Sequence, residues 1–322
     1  MQLSWILFLA LIFALLALDL FVFHPKARPL RLREAALLSC FWVSLGLGFS
    51  GVVYAVYANG WFGRGETATA LPPAEAVLQY VTGYLLEKSL SVDNIFVIAL
   101  LFSSLKVPQQ YRHRILYWGI LGAIVLRGIM ILGGSWLITR FDWLFYVFGA
   151  YLAYTGFKLL KPESGELDPE TSYFVRIAKR VLPLAKQDHG GNFLGRENGR
   201  TVVTQLGIAL IAIEATDVIF ALDSIPAVFA VTTDPFIVFT SNIFAILGLR
   251  SLYSILVSML DRFRHLKIAL AFILLFIGVK MLLHAIVGIG NFISLGVIAG
   301  ALTVGVLSSI LLPPPPHPAG EA

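Results

Sequence analysis

Nine apolar runs, each about 20 residues long, take up most of this 322-residue chain. They fall near residues 4–23, 36–57, 79–104, 115–138, 141–160, 201–229, 235–260, 266–287 and 291–312. A run of that length crosses the hydrocarbon core of a bilayer as a helix, which satisfies its own backbone hydrogen bonds where no water can. Composition agrees. Hydrophobic residues are 58% and charged residues 13%, too few charges to cover a soluble globule of this size, and the same bias excludes disorder. The expected fold is all-α: a polytopic transmembrane helix bundle of about nine spans.

A net charge of +5 does not make a nucleic-acid binder, because the basic residues are spread over short connections instead of one face. Their distribution reports topology. Odd-numbered connections hold Lys26, Arg28, Arg31 and Arg33; Lys106, Arg112 and Arg114; eight residues from Lys158 to Arg200; and Arg262, Arg264 and Lys267. Even-numbered ones hold only Arg64 and Arg140, which puts the N-terminus outside and the C-terminus in the cytoplasm. The first residues lack the basic region of a signal peptide, so the first run is expected to remain as a span. The single cysteine, Cys40, can form neither an internal disulfide nor a cysteine-based zinc site. In the long fifth connection, residues 172–182 read equally well as an amphipathic helix on the inner leaflet or as a solvated basic loop. Pro313–Pro316 begin a tail expected to be disordered.

Within the apolar runs stand five carboxylates: Glu87 and Asp93 in the third, and Glu214, Asp217 and Asp223 in the sixth. Each costs about 2.5–3.5 kcal/mol near the bilayer centre. They must therefore face one another, water or a cation. Lys88, Arg127, Arg250 and Lys280 are the embedded bases, too few within reach to pair every acid. The acids also recur. Glu87-x5-Asp93-Asn94-Ile95 returns as Asp217-x5-Asp223-Ser224-Ile225, offset by 130 residues. Ile124-Val-Leu-Arg127 and Gly156-Phe-Lys158 return in order as Leu247-Gly-Leu-Arg250 and Gly278-Val-Lys280. Each copy has three spans, and an odd number inserts the second copy upside down, the inverted repeat of many transporters.

The expected organisation is two N-terminal helices and an outer loop (1–75), a first three-helix unit (76–160), and a basic cytoplasmic loop (161–200). A second unit (201–288), a last helix (289–312) and the tail (313–322) follow.

Positions six apart on a helix differ by about 240°, so Glu87 and Asp93, or Asp217 and Asp223, cannot share one face of a continuous helix. Pro226 suggests that both spans break near the midplane, freeing carbonyls beside the acids. Carboxylates, Asn94, Ser91, Ser224 and carbonyls form an all-oxygen set suited to magnesium, calcium or manganese. Five negative charges exceed one dication, so some acids must be protonated, or paired with Arg127 and Arg250, when the site is empty. That points to metal–proton exchange. Arg127 and Arg250 are read as charge-balancing or gating residues.

The stretches around these acids resemble the TerC/Alx family of integral membrane proteins. They are Glu87–Phe96, Arg196–Gly199, Glu214–Pro226, Thr232–Arg250 and Ile293–Ile298. The resemblance implies a bacterial inner-membrane protein of manganese homeostasis that exports Mn2+ from the cytoplasm, akin to the lysine-exporter-like superfamily. Its acidic motif positions fall on Glu87, Asp93, Glu214, Asp217 and Asp223. The older label of tellurite resistance names a phenotype, and an acidic cavity repels oxyanions. The rivals are a membrane accessory delivering manganese to exported or membrane enzymes, an exporter of another cation such as Ca2+, and last an embedded enzyme, because no nucleophile–base pair accompanies the acids. Of the remaining polar residues, Asp19 is expected to pair with His24 and Lys26. Asn242 either reaches the site or bonds a neighbouring helix, and Asp234-Pro235 marks a helix start.

Overall fold

A computed structural model describes residues 2–19, 31–61, 71–141, 143–160, 185, 190–197, 199–257, 264–284, 286 and 289–311. The helices are α1 (Gln2–Leu18), α2 (Leu32–Ala58), α3 (Pro73–Ser104), α4 (Gln109–Arg140) and α5 (Trp143–Leu160). After a short hairpin, β1 (Leu194–Glu197) and β2 (Arg200–Val203), come α6 (Gln205–Phe229), α7 (Pro235–Ile246), α8 (Leu249–Val257), α9 (Arg264–Leu282) and α10 (Asn291–Leu311). Every expected run coincides with a helix, except that the seventh is a pair, α7 and α8. Segment 172–182 and the proline tail lie outside the described residues.

Local chemistry sets the starts. Pro73 opens α3 and Pro235 opens α7 at positions where a missing N–H costs nothing. The Asp234 side chain accepts from the Phe236 N–H at 2.8 Å, and the Thr204 hydroxyl accepts from the Gly207 N–H at 3.2 Å. Asp234-Pro235 is thus the start signal that the sequence suggested. The hairpin, not anticipated, turns tightly through Gly199 at φ 77°. It docks by Arg114, which donates to the Gly191 carbonyl at 2.9 Å and lies over the Phe193 ring.

By length and apolarity, α2, α4 and α10 can each cross a membrane, and α7–α8, bent by 42°, makes up to a fourth span. Helices α3 and α6, of 32 and 25 residues, are also long and carry the embedded acids. Large side chains such as Trp136 on α4, Phe272 on α9 and Val304 on α10 stand exposed, a surface suited to lipid and not to water.

The expected breaks in α3 and α6 do not occur. Both helices are continuous, and Pro226 sits one turn from the end of α6, where its carbonyl still accepts from Ala230. The break falls instead in the seventh run, at Leu247-Gly248. Gly248 takes φ 77°, a left-handed backbone that favours glycine, and the Trp42 ring packs against it. The Lys88 ammonium donates to the carbonyls of Ala245 and Leu247 at 3.0 and 3.2 Å, satisfying groups that the broken helix releases.

Helix α3 is central, packing on α2, α6, α7, α8 and α10. Helix α4 packs on α6, and α5 lies along α9 with backbones nearly touching. A Cβ at Gly278 would come 2.5 Å from the Ala153 nitrogen, and one at Gly156 would come 2.7 Å from that of Leu275. The glycine of each copy's Gly-x-Lys segment thus packs against the backbone of the helix that carries the other. Near one end, Trp5 and Phe8 of α1 meet Phe236 and Phe239 of α7 edge-on.

Candidate cation site

Helical spacing places Glu87, Ser91 and Asn94 on one stripe of α3, and Glu214, Asp217 and Ser224 on one stripe of α6. The two helices run antiparallel, because Gly83 lies against Val228 while Ile95 shares a cluster with Ile208 and Ile213. That register sets Ser224 near the depth of Glu87.

Between the stripes enters Arg127 of α4, fully buried. Its Nε and Nη2 donate to the two Asp217 oxygens at 3.1 and 2.8 Å, a forked pair. Its Nη1 donates to Glu87 Oε1 and, at 3.0 Å, to Asn242 Oδ1 of α7. One guanidinium therefore gathers oxygens from three other helices. The Glu214 carboxylate lies against Gly122 of α4, in space that a methyl group there would fill.

Several acceptors are left over. Glu87 Oε2, Ser91 Oγ, Glu214 Oε2 and Ser224 Oγ are buried without a hydrogen-bond partner among the described residues. All four belong to the two stripes, and buried polar atoms in this condition mark a place for a ligand, an ion or water. A mostly apolar cavity with room for water-sized occupants in about 40 Å³ reaches the stripes at Asn94 and Asp217, its other walls including Ile98, Leu116, Thr216 and Tyr253. It extends from Asp217 toward the end of the bundle where Arg112 meets the Tyr253 hydroxyl at 3.4 Å.

The structure joins Glu87 and Asp217 through Arg127 and keeps Glu214 beside Asp217, with Asn94 and Ser224 on the same stripes. It does not gather all five acids. Asp223 turns to α5, where Tyr151 and Thr155 hydrogen-bond its carboxylate, the latter at 3.5 Å. The Asp93 side chain lies outside the described residues. No group of three or more His, Cys, Asp or Glu close enough to hold a metal ion occurs among the described residues.

The expected symmetry between the two arginines fails as well. Arg250 is bound at 3.0 Å to Asp19 of α1, away from the acids. Asp19 was expected to serve His24 and Lys26, which lie outside the described residues. Lys280 donates to Asn291 and Ser294 of α10, at 3.2 and 2.9 Å. Sequence reasoning left Asn242 open, and the structure brings it to Arg127. Tyr151 and Thr155 went unnoticed, although Thr155 stands just before the recurring Gly156-Phe-Lys158.

The profile described as "Integral membrane protein TerC family" matches residues 73–314, a stretch containing every acid of the site. The chain belongs to the TerC family. Among similar chains is the membrane protein STKORF319 of Myxococcus xanthus. It is 48% identical over 307 residues, covering 95% of this chain and 92% of the relative. A membrane protein of Rickettsia bellii is 41% identical over 308 residues, covering 96% and 97%. The Alx protein of Escherichia coli (strain K12), whose name calls it a proposed membrane-bound redox modulator, is 46% identical over 308 residues, covering 94% and 92%. No solved structure matches.

Proposed function

We propose that this chain is a transporter that moves a divalent metal cation, Mn2+ foremost, out of the cytoplasm across the bacterial inner membrane in exchange for protons. The observation that carries the reading is the pair of facing stripes on α3 and α6. Two carboxylates, Glu87 and Asp217, share one guanidinium there, further carboxylate and hydroxyl oxygens on the stripes are left unpartnered among the described residues, and a cavity reaches Asp217. Such oxygens suit a hard divalent cation. Glu87, Glu214 and Asp217 are the central ligands, with Asn94 and Ser224 supporting. Asp223, held apart by Tyr151 and Thr155, is read as a proton carrier, and Asp93 keeps its place as a ligand. The distribution of basic residues supports an outside N-terminus and a cytoplasmic C-terminus.

An inverted pair of three-helix units is part of the proposal. It is supported by reciprocal packing: α3 on α7 and α4 on α6, each joining the first helix of one unit to the second of the other, with α5 on α9 joining the third helices.

Redox modulation, the role in the Alx names, would reach this chain through the supply of a redox-active metal. With Cys40 its only cysteine, the chain cannot cycle an internal disulfide.

Purified protein in sealed vesicles tests the proposal. Wild type should move Mn2+ down its gradient, faster with an opposing proton gradient, and Asp217→Asn should lose the flux. Flux indifferent to pH would remove proton exchange. Flux that appears only with a second protein present would favour the manganese-delivery accessory. Competition by Ca2+ and Mg2+ ranks the cargo.

A further inference from the structure

We infer that Arg127 is the site's own exchangeable cation: its guanidinium occupies the oxygens of Glu87, Asp217 and Asn242 that the cargo takes when it binds. Asn242 thereby becomes a ligand of the loaded site. The inference rests on the cation-transport reading above and names what regulates that same site.

The first ground is the chemistry around the guanidinium. Its partners are Glu87 Oε1, both Asp217 oxygens and Asn242 Oδ1, contributed by α3, α6 and α7. An all-oxygen shell drawn from separate helices onto one buried positive charge is the environment a hard cation seeks. Four of the five guanidinium N–H donors find partners, so the cation in place is well served.

The acids are not. Glu87 is wholly buried, yet only one of its oxygens is bonded while Oε2 has no partner, and Ser91 and Ser224, at 0% and 1% exposure, leave their hydroxyls unpartnered. A permanent structural ion pair holds its place inside a protein by satisfying the remaining lone pairs. Here the acceptors outnumber what one guanidinium serves, and two carboxylates, Glu87 and Asp217, face a single positive charge. A divalent ion supplies the missing charge and can accept the spare oxygens.

The third ground is access. The cavity reaches Asp217, whose side chain is 16% exposed, and not Glu87, at 0%. An entering cation therefore meets the forked Arg127–Asp217 pair first. Breaking that fork opens the way to Glu87 and Asn242. On cargo release the guanidinium returns, so the empty protein carries one positive charge of its own between Glu87 and Asp217.

A tethered competitor lowers apparent cargo affinity by the fraction of molecules in which it has withdrawn. Mn2+ binding to purified full-length protein should therefore be at least about tenfold tighter in Arg127→Gln than in wild type, and weaker in Asn242→Ala. In vesicles, Arg127→Gln should keep exchange of radiolabelled Mn2+ for unlabelled Mn2+ across the membrane. It should lose net efflux into manganese-free medium, because the empty site can no longer reset.

If Arg127→Gln is unstable without metal, saturating Mn2+ should raise its melting temperature toward wild type. A variant that stays unfolded in Mn2+ overturns the inference, since Arg127 would then be structural. So does a folded variant that binds Mn2+ no tighter than wild type. If wild type and Arg127→Gln both bind no Mn2+, the cation-transport reading itself falls, an outcome distinct from failure of the Arg127 inference alone.

Discussion

Arg250 lies in an apolar helix, and its partner, Asp19, is 231 residues away along the chain. Nothing in the spacing of either residue announces the other. The recurrence of Arg127 and Arg250 invited one role for both, and the structure gives them different partners: Arg127 serves the acids, Arg250 serves α1. The stripe of acids was more legible. Positions six apart cannot share a helical face, and Glu214, three residues from Asp217, can; both statements hold in α6, where Asp217 turns to Arg127 and Asp223 to α5. The Asp19–Arg250 pair makes a sharp prediction. Asp19→Asn should cost about 3–5 kcal/mol by leaving a buried guanidinium unmatched, and Asp19→Asn with Arg250→Met should recover much of it. Denaturation of the four proteins of this double-mutant cycle in detergent measures both effects.

Among the helices, what remained illegible was where a span breaks. Pro226 drew attention because proline removes a donor, but near the end of α6 that loss falls where few bonds remain. The effective breaker is Gly248, whose sequence signal was one glycine in Leu-Gly-Leu-Arg250. Its left-handed backbone is fixed by tertiary contact with Trp42, which local sequence does not reveal. Gly278 of α9 and Gly122 of α4 differ in what a methyl group would meet. At Gly278 a new methyl group would press on backbone of α5, which cannot turn aside. Gly278→Ala should therefore cost about 1–3 kcal/mol, read as a lowered melting temperature. At Gly122 the methyl would meet the end of the Glu214 side chain, which can rotate. Gly122→Ala should leave the melting temperature near that of wild type while slowing Mn2+ flux, because the displaced group is a carboxylate of the site.

For the whole molecule, hydropathy foretold the positions of the helices because lipid demands long apolar segments. It did not foretell the hairpin, whose approach segment is met by Arg114 at Gly191 and Phe193. The proposed topology predicts that a fluorescent protein fused after Ala322 will glow in living cells, because it folds in the cytoplasm. An alkaline phosphatase fused there should be inactive, and the reverse pattern would invert the whole reading of sidedness. The TerC match begins at residue 73, after α1 and α2. Yet Trp5 and Phe8 wedge α1 against α7, and Asp19 supplies the negative end of Arg250's pair. Trimming the chain to its family-matched portion would strand a full positive charge in the bundle's interior. The opening helix is thus a keystone, and any minimal version of this protein has to keep it.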